Sequence, residues 1–360
     1  MVPPGALAHL QPALQWLVLA AISIVLVALL YAIGIPAAFF LGPMAAGVIV
    51  GVNGGTVRVP SVTYTGAQAI MGCFIASGIS PAILQTFLQD WPLFLGVVFS
   101  ILTASSALGW IMSRWQVMPA STSVWGSWPG AASAMVIMAA EFGADARLVA
   151  FMQYFRVVCV ASLASVISLF WQRHGATPPP VVPWFPPLEW PAFPETLLFA
   201  GACAAAGRIS RIPSGPMLLT LVAASTLHLS GLLEIELPKW LLTATYTLIG
   251  WNVGLHFTAA ILAHAMSALP KVFLSVSALI AFAGGIAYLL TRILGIDPLT
   301  AYLATSPGGM DSVAIIAAST NVDLPFVMAL QTIRFVIIVM IGPPVAKFLA
   351  RQVEAATRGG

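Results

Sequence analysis

A thirty-residue passage of this chain occurs twice. Read without a gap, residues 129–158 and 307–336 share ten identities: Pro129-Gly130/Pro307-Gly308, Ile137/Ile315, Ala139-Ala140/Ala317-Ala318, Asp145/Asp323, Val149/Val327, Gln153/Gln331, Arg156/Arg334 and Val158/Val336. Every pair is 178 residues apart. The same offset continues upstream through Pro60/Pro238, Thr65/Thr243, Gly72/Gly250, Ala82-Ile83-Leu84/Ala260-Ile261-Leu262 and Arg114/Arg292, so the unit is about half of the 360 residues. Such a chain is expected to be a fused duplicate whose two parts fold alike. In membranes that architecture is typical of transporters.

The solvent follows from composition. Apolar residues make up 60% and charged ones 7%, and the mean hydropathy is +0.99, far from the balance of a water-soluble domain. Nearly uncharged segments run over 11–33, 36–52, 65–84, 91–113, 148–171, 194–207, 213–233, 240–264, 270–291 and 325–346. Several reach the roughly 20 residues that a helix needs to cross about 30 Å of hydrocarbon. Backbone amides in lipid must bond internally, which favours helices over strands. Segments 36–52 and 194–207 are short enough to be broken or re-entrant pieces. The 30 glycines and 27 prolines, many within apolar stretches, suit close helix contacts and local breaks. Residues 1–10 carry no Lys or Arg and no persuasive cleavage site follows, so the first segment is read as a retained helix. Cys73, Cys159 and Cys203 lie in apolar stretches without metal-type spacing, as buried free thiols would. A net charge of +3 without a basic cluster argues against direct nucleic-acid binding. No His, Cys and carboxylate constellation suggests a nucleophilic triad or metal site; the expectation is no enzyme and no cofactor.

The proline-rich stretch 172–193 divides the chain into a first membrane repeat, 11–171, and a second, 194–350. It reads as a stiff spacer, with Trp184 and Trp190 suited to the headgroup level. Orientation depends on the stretches around each Pro-Gly pair, 119–146 and 297–323. If these cross, the protein is a twelve-span bundle of two parallel six-helix repeats. Its loop cations then divide eight to four. If they dip in and return, each repeat has five crossings and the second is upside down. The cations then divide nine to three, with Arg58, Arg114, Arg147, Arg208, Arg211, Lys271, Lys347, Arg351 and Arg358 together. The positive-inside rule favours this second arrangement and puts both termini in the cytoplasm. The expected fold is therefore all-α and integral to the membrane: two inverted repeats of five transmembrane helices, each with a re-entrant Pro-Gly hairpin. Arms of about 12 residues reach roughly 18 Å, so the hairpin tips would sit near the midplane.

Proline removes an amide and glycine admits left-handed backbone, so helical pairing should break at Pro129-Gly130 and at Pro307-Gly308-Gly309. The freed groups could serve an anion, or the breaks could be packing kinks. Gln153 and Arg156, like Gln331 and Arg334, share a helix face. Both arginines stand about ten residues inside an apolar helix, where an unpaired guanidinium is costly. Each should hold a carboxylate, either from a solute or from the protein, with Asp311 and Glu141 the internal candidates. Asp311 has Ser133 as counterpart and reads equally as a proton or cation site and as a structural ion pair. Asp145 and Asp323 precede long apolar helices and read as caps. Asn252, His256 and His264 are taken as helix-packing residues ahead of cavity-lining ones.

The passage Pro307-Gly308-Gly309-Met310, followed by Ala317-Ala318, Asp323, Val327, Gln331-Thr332-Ile333-Arg334 and Pro343, resembles the bacterial membrane AbrB family; Pro129-Gly130 through Asp145, Gln153 and Arg156 is similar to that family's first duplicate. The likeness covers 11–350, with Ala131 departing from the double glycine of the second copy. It implies a protein of the bacterial inner membrane, described in that family either as a regulator of gene expression or as an ammonia monooxygenase, and unrelated to the small soluble DNA-binding proteins of the same name. These residues give the oxygenase description no support, since no cluster would hold copper or iron. The leading expectation is a secondary transporter of a small anionic solute, with a site at Pro129, Gly130, Gln153, Arg156, Pro307, Gly308, Gly309, Asp311, Gln331 and Arg334. The alternative is a membrane regulator acting through a partner protein without transport. The expected partners are the lipid bilayer, the solute and a coupling proton or cation; association with further copies of the chain is left open.

Overall fold

The computed structural model describes residues 6–35, 37–79, 81–114, 120–129, 135–136, 139, 143–173, 184–188, 190–210, 212, 214–266, 268–338, 341 and 348. Among these residues the chain is helical and has no strand. The helices are α1 (Pro12–Ile33), α2 (Ala38–Val52), α3 (Ser61–Ser77), α4 (Pro81–Arg114), α5 (Ala120–Ser127), α6 (Ala146–Arg173), α7 (Ala192–Ile209), α8 (Gly215–Leu229), α9 (Lys239–Leu255), α10 (Ala259–Ala265), α11 (Leu269–Leu294), α12 (Pro298–Thr305), α13 (Met310–Ala318) and α14 (Leu324–Ile338). The bounds of α3 and α9 differ by 178 residues at both ends, as do those of α5 and α12.

Among the described residues, four stretches are long and apolar enough to cross a bilayer: Pro12–Ile33, Trp91–Arg114, Ala146–Leu169 and Leu269–Leu294. Leu17, Ile24, Val25 and Leu29 on α1 are exposed, as are Phe273, Leu274 and Leu289 on α11, which in water would be costly and in lipid is the resting state. These helices make the protein membrane-like.

Two sequence-based segments need correction. The stretch 65–84 is not one helix: α3 ends at Ser77, and α4 starts at Pro81 and runs on through Pro92. The polar run Gln85, Gln89 and Asp90 read as a gap, yet a 34-residue helix accommodates it. The stretch 240–264 likewise splits after Leu255; the Thr258 hydroxyl caps α10 by accepting from the Ile261 amide at 3.3 Å, and Pro270 lies in the first turn of α11.

Glycines set how the helices meet. A Cβ on Gly250 of α9 would stand 2.6 Å from the Phe40 carbonyl of α2, and one on Gly254 would collide with the Met44 carbonyl. Gly51, two turns further along α2, faces the Phe257 carbonyl. Contacts that advance together along both helices mean that α2 and α9 run parallel. Gly72 of α3 likewise sits against Met217 and Thr220 of α8, 2.6 Å from the Met217 carbonyl. The helix α1 is antiparallel to α2: Gly42 lies on Val27, and the Gln15 side chain holds Thr56, accepting from its amide at 2.8 Å. Both α2 and α8 follow an Ile-Pro pair and a non-glycine residue in left-handed conformation, Ala37 at φ 57° and Ser214 at φ 51°.

Candidate binding site

Two short helices stop just before a proline. In a continuing helix the carbonyl of residue 125 would accept from the amide of residue 129, but Pro129 has none; Leu303 meets the same gap at Pro307. Glutamine fills both. Gln153 Nε2 donates to the Trp125 carbonyl at 3.0 Å and to Trp128 at 2.9 Å. Gln331 Nε2 donates to Leu303 at 2.8 Å and to Ser306 at 3.2 Å. Each amide oxygen then accepts from an arginine one turn on, Arg156 Nη2 at 2.6 Å and Arg334 Nη2 at 2.5 Å. The arginines also donate to the broken backbone: Arg156 Nη1 to the carbonyls of Ser127 and Trp128, Arg334 Nη1 to Ser306 and its Nη2 to Gly308.

The bases of these units are fastened too. Thr300, in the first turn of α12, accepts from the Asp323 amide through its hydroxyl at 3.2 Å, although α13 and its turn lie between them. The stretch 300–323 therefore returns to the level at which it started, as a hairpin. Thr122 on α5 accepts from the Asp145 amide at 3.0 Å. Each aspartate then caps the following long helix, as expected from sequence: Asp145 Oδ1 accepts from Leu148 at 3.2 Å and Asp323 Oδ1 from Phe326 at 3.0 Å.

The Pro307 tip meets the long helix of the other unit. A Cβ on Gly308 would stand 3.0 Å from Val160, and one on Gly309 would touch Val157, so the Pro307 turn rests on the face of α6 that follows Arg156. Both arginines are buried, with 2% of Arg156 and 3% of Arg334 exposed, and Gln153 and Gln331 are fully enclosed. No carboxylate pairs with either among the described residues. Among the described residues the Nε–H of each arginine has no acceptor, nor does the buried Trp128 Nε1–H. A buried arginine normally has its charge paired and its donors used. Beside Arg156 lies a void of about 10 Å³ bounded by Gly126, Ser127 and Met152 on one side and Ser275 and Leu279 on the other, room for about one water.

The structure thus brings Pro129, Gln153, Arg156, Pro307, Gly308, Gly309, Gln331 and Arg334 into one region. Gly130 and Glu141 lie outside the described residues. The backbone of Asp311 occupies the first turn of α13, and its side chain lies outside them, as does that of His264. His256 packs instead of lining the site: its ring stacks on Tyr154 at 4.3 Å and bonds the Asn252 carbonyl. Trp128 was missed in the sequence because its counterpart is Ser306, so a search for matched pairs passes over it.

The profile of the family described as "Transition state regulatory protein AbrB" matches residues 39–350. The chain is 43% identical over 342 residues to the Escherichia coli (strain K12) protein named "Putative regulator AbrB", covering 94% of this chain and 98% of that one. It is 25% identical over 302 residues to "Uncharacterized protein YhjN" of Bacillus subtilis (strain 168), covering 78% and 77%. The matched span takes in both Pro-Gly turns and both Gln/Arg pairs, and this chain belongs to the AbrB family.

Proposed function

We propose that the protein is a secondary transporter of a small organic anion in the bacterial inner membrane, built from two inverted five-helix repeats with re-entrant Pro-Gly hairpins. The observation that carries the reading is the pair of buried guanidinium groups with unused Nε donors and no carboxylate partner among the described residues. An entering anion would supply the missing charge and acceptors. Asp311, one turn from the Pro307 tip, is the proposed proton or cation site.

Helix direction supports the inverted arrangement. A chain that has just crossed through α2 can only cross back through α3, so α3 opposes α2. The counterpart of α3, α9, runs parallel to α2. Counterparts pointing in opposite directions are what an inverted repeat requires, and parallel repeats would forbid it. Threonine-to-aspartate fastening at the base of each hairpin supports the dip-and-return path over a further crossing.

The name of the Escherichia coli relative favours a second reading, a regulator that binds solute and signals through a partner. Purified protein in liposomes separates the two. Uptake of a carboxylate such as acetate or octanoate that is lost in both Arg156→Gln and Arg334→Gln supports transport. Binding with no flux would favour the regulator, and arginine variants with undiminished flux would sink the anion site.

A further inference from the structure

The two repeats differ in how their first helices dock. In the second, α7 packs against both α8 and α3. In the first, α1 lies along α2 and stands off α9. A single side chain spans that gap: Trp251 of α9 stands where α3 has Cys73, its indole Nε1 donates to Ser23 Oγ of α1 at 2.8 Å, and its ring lies 5.6 Å from Trp16. A strut of that size leaves a groove of about 510 Å³ between the three helices. Ala20, Ile24, Ala28 and Tyr31 line it from α1 in helical steps, Phe39 and Pro43 from α2, and Thr247 and Trp251 from α9. Ile24 and Tyr31 are 69% and 67% exposed, so the groove opens outward, on the side where lipid lies.

We propose that this groove holds one acyl chain of an anionic phospholipid whose headgroup meets Lys239. Depth selects the chain. The groove starts at a membrane surface, since Tyr31 is in the last turn of α1 and Phe39 in the first turn of α2. From Tyr31 down to Ala20 it runs about 16 Å at the helical rise. That is the depth of one leaflet, half of a hydrocarbon core about 30 Å thick. The mouth selects the headgroup. Phe39, in the groove wall, is edge-on to Trp184 at 5.3 Å, and Lys239 Nζ stands 4.8 Å over the same indole, so one ring joins the wall to the cation. Because α9 runs parallel to α2, Lys239 at the start of α9 belongs to the same surface as Phe39. An indole and an ammonium at headgroup level suit a phosphate of net negative charge, whereas a zwitterionic lipid would fill the groove but set its own cation beside Lys239. The site is separate from the Gln/Arg network and holds whether that network serves a transporter or a regulator.

The test is native mass spectrometry of the full-length protein in detergent, titrated with phosphatidylglycerol, with phosphatidylcholine of the same acyl chains and with glycerol phosphate, reading the first molecule bound. Phosphatidylglycerol is expected to bind about fivefold more tightly than phosphatidylcholine, as one lysine near the surface allows, and glycerol phosphate not measurably. Lys239→Gln should erase that preference and leave phosphatidylcholine unchanged. Ala28 lines the groove at an exposed position, so Ala28→Phe should keep the thermal transition of the parent and weaken both lipids about tenfold by taking the place of buried methylenes. Ala28→Leu, a smaller filling, should give an intermediate loss. Equal affinity for the two lipids in the parent overturns the proposal, as does binding that neither Ala28 variant alters, which would put the lipid elsewhere. Glycerol phosphate binding as tightly as the whole lipid would leave a phosphate site without a groove, and a dimer that Ala28→Phe splits would give the groove to a second copy; either result overturns it too.

Discussion

A proline in the fourth position after a carbonyl leaves that carbonyl without its helical donor, and this chain answers the loss with glutamine at both places. The arithmetic of Gln331 is therefore severe: Gln331→Ala strips the Leu303 and Ala304 carbonyls of their side-chain donor, leaves Ser306 with Arg334 Nη1 alone and removes the acceptor for Arg334 Nη2. An unmet buried group costs about 1–3 kcal/mol, so a loss of about 2–4 kcal/mol is expected, with Gln153→Ala close behind, read as the fall in thermal unfolding in detergent. Asp323→Ala removes only a cap and should cost about 1 kcal/mol. The glutamines and arginines were legible in the sequence because they recur at one offset inside apolar helices. Their task was not, since a sequence shows a buried donor without showing which carbonyl needs it.

Between helices, backbone clearance decides. Gly254 faces the Met44 carbonyl and Gly47 of α2 so closely that Gly254→Ala must push α9 off α2, and a destabilisation of about 2–4 kcal/mol is expected from the lost packing. Gly284 and Gly285 of α11 have open space around them, so Gly284→Ala should be neutral or gain up to about 1 kcal/mol from helix propensity. The same unfolding assay compares the two. Helix positions were readable from apolar runs because lipid leaves the backbone few alternatives. Ends were harder: the polar residues of α4 imitate a loop, and the apolar run 240–264 conceals the break after Leu255.

Across the molecule, the direction of α9 beside α2 predicts where surfaces lie. Ser61 and Lys239 open α3 and α9 at matching positions, and in inverted repeats they belong to opposite faces of the membrane. Ser61→Cys and Lys239→Cys in a cysteine-free background should thus react with an impermeant thiol reagent from opposite sides; labelling from one side would restore the twelve-span bundle. The duplicated residues gave no direction of their own, because an inverted and a parallel copy read identically along the chain; the loop cations favour the inverted one, and the contacts of Gly250 and Gly254 support it. The fastening of each short helix carries a consequence for motion. Thr300 ties the hairpin base to Asp323, and Gln331 and Arg334 tie its tip, with Asp323, Gln331 and Arg334 lying within one stretch of twelve residues that flanks and enters α14. A piece bolted at both ends cannot flap open at its tip. In the proposed transport cycle, hairpin and helix would travel together like a drawer in its frame, so amide exchange should be slow throughout α12 and α14, and the sliding surface should be the contact with α3 and α6.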